Sequence, residues 1–363
     1  SCLLGWVVAR ISLKLKNKSF ITVILSLLFL AAYYFVYYKA QALITLLVEN
    51  AAVYGLKIRG SAYLLYLFGC VGAGDWLAML IVTVTQAALL ALTLWGIARS
   101  FLKIATATGS VKKVRFEHKA VRAQSTQRAL FGKELRRFTA SPNYMLNCGL
   151  GIVMLLAAGI ALLIKGRALA QLLDGVFGAG ADIVPVLLSA ALCLLASMND
   201  MAAPSVSLEG RQLWLAQSLP VTPWQVLRAK MVMQLLLTGI PAAVCLLCAV
   251  LAISMTAAEA VLLAAVCLLF VVLSAMLGLF LGLKMPNLTW TSEITPIKQS
   301  ACVGIALLGG WAYALLLGGG YLLAGWHLGA ALYMGCFAAA TLAACAVLYL
   351  WLKKRGGAVL AAL

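Results

Sequence analysis

Long runs of apolar residues, separated by short polar stretches, dominate the chain. Eight runs are about 17–25 residues long, and each could cross a hydrocarbon core of about 30 Å as a helix. Their apolar residues are continuous rather than alternating with polar ones, which favours helices over membrane strands. The pattern predicts an all-α, polytopic transmembrane helix bundle with about eight spans, at residues 20–38, 76–98, 143–164, 183–199, 230–252, 260–283, 299–323 and 330–352.

The composition supports a membrane protein and excludes several other classes. Of the 363 residues, 64% are hydrophobic and only 10% are charged, whereas a soluble domain carries about 25% charged residues. The sequence has no G-x-x-x-x-G-K-[ST], no G-x-S-x-G and no H-E-x-x-H motif, so nucleotide-binding, serine-hydrolase and zinc-protease chemistry have no sequence support. We therefore expect no enzyme activity, cofactor or metal site in this chain.

The basic residues predict how the chain is oriented. If the segment before the first span is cytoplasmic, 23 of the 28 Lys and Arg residues lie on the cytoplasmic side, as positive-inside topology requires. The C-terminus would then be cytoplasmic too. Membrane topology in the lipid bilayer therefore explains the net charge of +18, and no nucleic-acid partner is needed to explain it.

A weak internal repeat suggests how the chain is organised. Lys18-Ser19 before the first span resembles Lys298-Gln299-Ser300 before the seventh, and Trp95 and Trp351 close the matching second and eighth spans. We expect residues 1–98 to hold the last two spans of a first six-span unit with an outer insertion at 39–75. Residues 99–126 would be a cytoplasmic linker, and 127–355 a second six-span unit. The chain would then be N-terminally incomplete by about four spans.

Residues 127–140 have the pattern of an amphipathic helix. Leu130, Phe131, Leu135 and Phe138 share one arc of a helical wheel, and the basic residues Lys133, Arg136 and Arg137 lie outside it. The pattern predicts a helix on the cytoplasmic leaflet. A solvated linker helix is the alternative.

The loop 200–229 contains a second short helix. Ser207 is a candidate N-cap, Pro220 would end the helix, and Thr222-Pro223 would begin the next one. Trp214 and neighbouring leucines would form an exposed knob beside Glu209 and Arg211, suited to docking a partner. Alternatively, Trp214 packs into the lipid headgroups.

These segments resemble the membrane subunits of ABC-2-type exporters. The resemblance rests on SLEGRQLWLAQSLPV (207–221), KELRRFTASPNYMLN (133–147), PNLTWTSEITPIKQS (286–300) and GSAYLLYLFGCVGAGDW (60–76). It implies a permease of the bacterial plasma membrane that forms the translocation path and couples to a separate ATPase subunit, which would bind ATP and Mg²⁺.

The resemblance also implies roles for particular residues. A coupling helix at 207–219 would contact the ATPase subunit through Leu208, Glu209, Gly210, Arg211, Trp214, Leu219 and Pro220. An elbow helix at 127–140 would use Phe131, Lys133, Arg136 and Arg137. The loop 284–298 would make a second cytoplasmic contact.

Two other functions remain open. The predicted spans have no Asp, Glu, Lys, Arg or His in their interiors, which disfavours an ion-coupled secondary carrier, because such carriers place ionisable residues within the membrane. A non-transporting membrane scaffold would also suit a docking helix. The substrate, whether a small molecule, a lipid or a peptide, is undetermined; charge-free spans favour an apolar or amphipathic one.

Overall fold

The computed structural model describes residues 18–49, 59–60, 63–105, 124–177 and 183–363. Every regular element in these ranges is a helix, so the predicted all-α bundle is confirmed. Eight helical segments are long and apolar enough to cross a membrane: Ser19–Leu46, Trp76–Arg99, Leu150–Phe177, Ile183–Ser218, Pro223–Ala252, Ala257–Lys284, Ile294–Leu323 and Ala330–Ala362.

The chain divides into two compact units between residues 121 and 122. The first contains α1 (Lys18–Glu49), α2 (Tyr63–Gly72) and α3 (Trp76–Ala105). Asp75 begins α3, because its carboxylate accepts hydrogen bonds from the backbone N–H groups of Leu77 and Ala78.

The second unit contains the remaining helices. They are α4 (Thr126–Ala140), α5 (Pro142–Cys148), α6 (Leu150–Phe177), α7 (Ile183–Ser197), α8 (Ala202–Ser205), a 3-10 segment (Ser207–Gln212), α9 (Leu213–Ser218), α10 (Pro223–Ala252), α11 (Ala257–Lys284), α12 (Ile294–Lys298), α13 (Ala301–Leu323), a short 3-10 turn (Gly325–His327), α14 (Ala330–Trp351), one π-helical turn (Leu352–Gly356) and α15 (Gly357–Ala362).

Local sequence explains where the long helices of this unit begin. The hydroxyl groups of Thr222 and Thr256 accept hydrogen bonds from backbone N–H groups three residues later, and the side chains of Gln225 and Glu259 accept from the cap residues in return. These are capping boxes at the starts of α10 and α11. The predicted start of a helix at Thr222-Pro223 is confirmed.

Helix α7 lies at the centre of the second unit. It packs against α13, α11 and α6, while α10 packs along α6 and α11 packs along α14. Leu155, Val186, Cys193, Leu263 and Leu317 are fully buried where these helices meet. Many large apolar side chains on the outer surface are exposed, as expected for helices that face lipid.

Several predicted span boundaries need correction. The third span begins at Leu150 rather than at 143, because Ser141 caps the separate helix α5, which ends at Cys148. The fifth begins at Pro223 rather than at 230. Most of the expected linker 99–126 and the segment before Lys18 lie outside the described residues, and the division into six-span units remains a prediction.

Candidate functional site

The predicted amphipathic helix is present as α4, and it packs against the bundle. Leu130, Glu134 and Phe138 are buried and follow one another at intervals of four residues, so they lie on one face of the helix. This face contacts α10. A carboxylate therefore sits in the middle of an otherwise apolar stripe.

Lys230 of α10 forms an ion pair with Glu134 in the protein interior. The Lys230 side chain has no exposed surface, and its Nζ lies 2.9 Å from Oε1 of Glu134 and 2.8 Å from Oε1 of Glu209. It also donates a hydrogen bond to the backbone carbonyl of Ser205 at 2.9 Å. All three ammonium protons have acceptors, which is what a buried lysine requires.

Two further basic residues complete the group. Lys133 Nζ lies 2.8 Å from Oε1 of Glu209, and Arg137 Nη2 lies 2.7 Å from Oε2 of Glu209. Burial lowers the pKa of Arg137, but its hydrogen bond to Glu209 and the two nearby carboxylates outweigh this effect and raise the pKa above its usual value. We call Lys133, Glu134, Arg137, Glu209 and Lys230 the charge cluster.

The predicted coupling helix at 207–219 is two shorter helices. The backbone at Gly210 has φ 55° and ψ −141°, a conformation that favours glycine and kinks the 3-10 segment Ser207–Gln212 before α9 begins at Leu213. The Trp290 ring would lie 3.3 Å from a Cβ at Gly210, and its Nε1 donates a hydrogen bond to the carbonyl of Ser207 at 2.6 Å. The loop after α11 is therefore packed against this break.

Ser207 is not the N-cap that the sequence suggested. Val206 takes the N-cap position of the 3-10 segment, and the Ser207 hydroxyl accepts a hydrogen bond from the backbone N–H of Asn287 at 3.0 Å. Ser207 therefore links the 3-10 segment to the loop after α11 rather than capping a helix.

The structure divides the expected partner-contact residues into two groups. Leu208, Glu209 and Gly210 are buried inside the protein, whereas Arg211, Trp214, Leu219 and Pro220 are exposed. Glu209 thus does not lie on the same exposed surface as Trp214. In α4, Lys133 and Arg137 reach Glu209, Phe131 is half-buried and Arg136 is exposed.

Residues 211–220 form an exposed surface that we call the docking tip. Trp214, Leu215 and Leu219 are 61%, 47% and 45% exposed, while Leu213 and Ala216 on the other face of α9 are buried. The tip also contacts the end of the chain, because Gln217 Nε2 donates a hydrogen bond to the carbonyl of Leu360 at 3.0 Å.

The expectation that the spans contain no ionisable interior residues is wrong. Lys230 lies within the span Pro223–Ala252, and Asp200 and Glu209 lie within Ile183–Ser218. They were missed because residues 200–229 were expected to form a cytoplasmic loop and the fifth span was expected to begin at Lys230. Glu134 gave a clearer signal: it lies on the apolar arc of its helix, where an unpaired carboxylate would be costly and a basic partner is expected.

Residues 200–206 also differ from the expected surface loop. Helix α7 ends at Ser197, and α8 follows within the protein interior with all of its residues buried. Gln234 of α10 supports this break: its Nε2 donates to the carbonyl of Asn199 at 2.9 Å, and its Oε1 accepts from the N–H of Ala202 at 2.7 Å. The Gln234 side chain thus supplies hydrogen-bond partners for backbone groups that the end of the helix leaves unpaired.

Comparison with known families corrects the expected relationship to ABC-2-type exporters. Residues 2–350 match the family described as "Membrane protein of 12 TMs", and no ABC-2 family matches. No curated protein and no solved structure matches the chain. The first four residues of the motif at 207–221 are buried, and Glu209 belongs to the charge cluster, so in this protein they serve internal packing. With a family match that spans nearly the whole sequence, the chain belongs to this family of multi-pass membrane proteins.

Proposed function

We propose that the protein is the membrane-spanning subunit of an ATP-driven transport system whose ATPase is a separate polypeptide. The observation that carries the proposal is the docking tip at 211–220. It combines exposed Trp214 and Leu215 with the basic residue Arg211. Exposed aromatic and arginine side chains are typical anchors of protein interfaces.

The charge cluster supports the proposal, because it provides a stiff connection from the tip to the membrane helices. Glu209 lies two residues before Arg211, and it is held by Lys230 of α10 and by Lys133 and Arg137 of α4. A force applied to the tip would therefore act on α4 and α10 together. Such a connection suits a subunit that converts movement of an ATPase into movement of its helices.

The distribution of basic residues supports a cytoplasmic position for the tip. The segments placed on the cytoplasmic side carry 23 of the 28 Lys and Arg residues. On this assignment α4, the docking tip and the C-terminus face the cytoplasm, where ATP is available. The expected bacterial plasma membrane rested on the ABC-2 resemblance and loses that support.

Co-purification tests the proposal. The full-length protein would be purified in mild detergent from its native membranes, and associated proteins would be identified by mass spectrometry and assayed for ATP hydrolysis. We expect an ATPase to accompany the wild type and to be lost from the double variant Trp214→Ala, Leu219→Ala. Glu209 is not substituted, because it is buried and its loss would disturb folding.

Trp326→Ala is the matched control. Trp326 is 61% exposed, as Trp214 is. It lies in the turn where α13 ends and α14 begins, whereas α12 lies before the opposite end of α13. The control should keep the ATPase. An ATPase that remains with the double variant would place the contact elsewhere, and the absence of any ATPase from folded wild-type protein would favour a scaffold.

An ion-coupled carrier is a second candidate, favoured by one observation. Asp200 is 6% exposed and lies within the span Ile183–Ser218. Buried carboxylates within membrane-spanning segments commonly mark ion or proton pathways. Uptake or release of substrate that follows an ion gradient in ATP-free proteoliposomes would support the carrier over the ATP-driven subunit.

A further inference from the structure

Helices α10, α11 and α14 bring aromatic side chains together at one surface of the second unit. Helix α10 begins there, and α11 and α14 end there. The ring centres of Trp224 and Tyr349 lie 5.8 Å apart and join the start of α10 to the end of α14. Those of Phe280 and Trp351 lie 4.6 Å apart and join α11 to α14. Tryptophan and tyrosine rings at the ends of membrane helices are typical of the depth at which lipid headgroups lie.

Exposed basic side chains lie next to these rings. We call them the basic patch: Lys284 at the end of α11, and Lys353, Lys354 and Arg355 of the π-helical turn after α14. Nζ of Lys284 lies 5.3 Å from the centre of the Trp351 ring. Nζ of Lys353 lies 5.9 Å from the centre of the Tyr349 ring. Such contacts hold an ammonium group in place, and its N–H donors remain able to bind an anion.

The basic patch has no carboxylate to balance it within the part of the chain that the structure describes. The ion pairs found there join only members of the charge cluster. The buried Lys230 thus has acidic partners inside the protein, whereas the patch presents four positive charges at the surface. An anion that pairs with the patch must therefore come from outside the described chain.

The π-helical turn is held in position by packing before any ligand binds. Leu352 and Gly356, at the two ends of the turn, are buried. A Cβ at Gly356 would lie 3.2 Å from Cδ1 of Leu227 in α10 and 3.5 Å from Cδ1 of Leu283 in α11. The turn is therefore packed against both helices. Single π-helical turns are rare and are frequently found at functional sites.

We propose that the basic patch binds the headgroup phosphate of an anionic phospholipid. Lysine and arginine donors suit phosphate oxygens, and clusters of basic residues just outside a membrane helix attract anionic lipids. A lipid fits better than a soluble anion, because Val347 and Leu350 are exposed less than two turns before Lys353 and offer apolar surface to acyl chains. On the orientation assigned above, this lipid would belong to the cytoplasmic leaflet.

Native mass spectrometry of the full chain tests the site. Delipidated protein in detergent would be mixed with equal amounts of phosphatidylglycerol and phosphatidylcholine, which both carry a phosphate but differ in net charge. We expect the wild type to retain phosphatidylglycerol with a preference of about tenfold. The double variant Lys284→Gln, Lys353→Gln should lose most of this preference. Both side chains are exposed, so this variant should fold.

The double variant Arg211→Gln, Lys298→Gln is the matched control. It removes two exposed basic residues from the same assigned side of the membrane, and it should keep the full preference. A third double variant, Lys354→Gln, Arg355→Gln, leaves both cation–ring contacts intact and should reduce the preference only in part.

Three results would overturn the site. A wild type that does not distinguish the two lipids shows no selective binding. Equal losses in the first double variant and in the control would indicate general electrostatic attraction rather than a site. Displacement of phosphatidylglycerol by an excess of inorganic phosphate would identify a soluble anion as the ligand. The inference is independent of the proposed ATPase partner, because only the purified chain and lipid are present.

Discussion

At the scale of single residues, Lys230 is the most constrained side chain of the charge cluster. It is fully buried and is the shared partner of Glu134 and Glu209. Lys230→Met should lower the free energy of unfolding by about 3–5 kcal/mol, because two buried carboxylates lose the fully buried one of their counter-charges. The measurement is thermal or denaturant unfolding in detergent.

The neighbouring Arg228→Met provides the comparison. Arg228 lies on the same helix but is exposed, so its loss should change stability by less than about 0.5 kcal/mol. Equal effects of the two substitutions would show that the buried contacts of Lys230 contribute no special stability.

The residue scale also shows what the sequence could reveal. Glu134 was identifiable as unusual, because Leu130 and Phe138 place it on an apolar stripe. Its partner was not identifiable, since Lys230 is 96 residues away and several other basic residues were available. Periodicity shows that a charge is buried, but only the packing of helices decides which charge balances it.

At the scale of elements, the break at Gly210 sets the position of the docking tip. Gly210→Ala should destabilise the protein by about 1–3 kcal/mol, because the backbone has φ 55° and the new Cβ would press against Trp290. The change in Trp290 packing should also alter the tryptophan fluorescence spectrum.

Gly132→Ala is the matched control at this scale. Gly132 lies inside α4, and a Cβ there would meet no atom within 4 Å. Alanine should therefore leave the stability unchanged or raise it by up to about 1 kcal/mol. A destabilisation by Gly132→Ala as large as that of Gly210→Ala would contradict a special role for the break.

The elements themselves were largely predictable, and their ends were less so. The apolar runs identified the long helices, and Thr222-Pro223 marked the start of α10. The continuous helix at 207–219 was wrong because the pattern of Leu208, Leu213 and Trp214 fits one helix as well as two. The structure shows a kink at Gly210, where φ is positive and Trp290 packs against the backbone.

At the scale of the whole molecule, the orientation in the membrane is directly testable. A fluorescent protein fused after Leu363 should fluoresce, because we expect the C-terminus to be cytoplasmic, and alkaline phosphatase at the same position should be inactive. The same reporters inserted after Leu328, between α13 and α14, should behave in the opposite way. The reverse result at both positions would invert the topology, and with it the compartment that the docking tip faces.

The charge cluster has a consequence for biosynthesis. Glu134 and Glu209 leave the ribosome before Lys230, by 96 and 21 residues respectively. Until α10 has been made, only the partly exposed Lys133 and Arg137 can pair with Glu209, and the fully buried ammonium group that Glu134 and Glu209 share is missing. Assembly of this end of the molecule is therefore completed only when a helix that is translated later supplies Lys230.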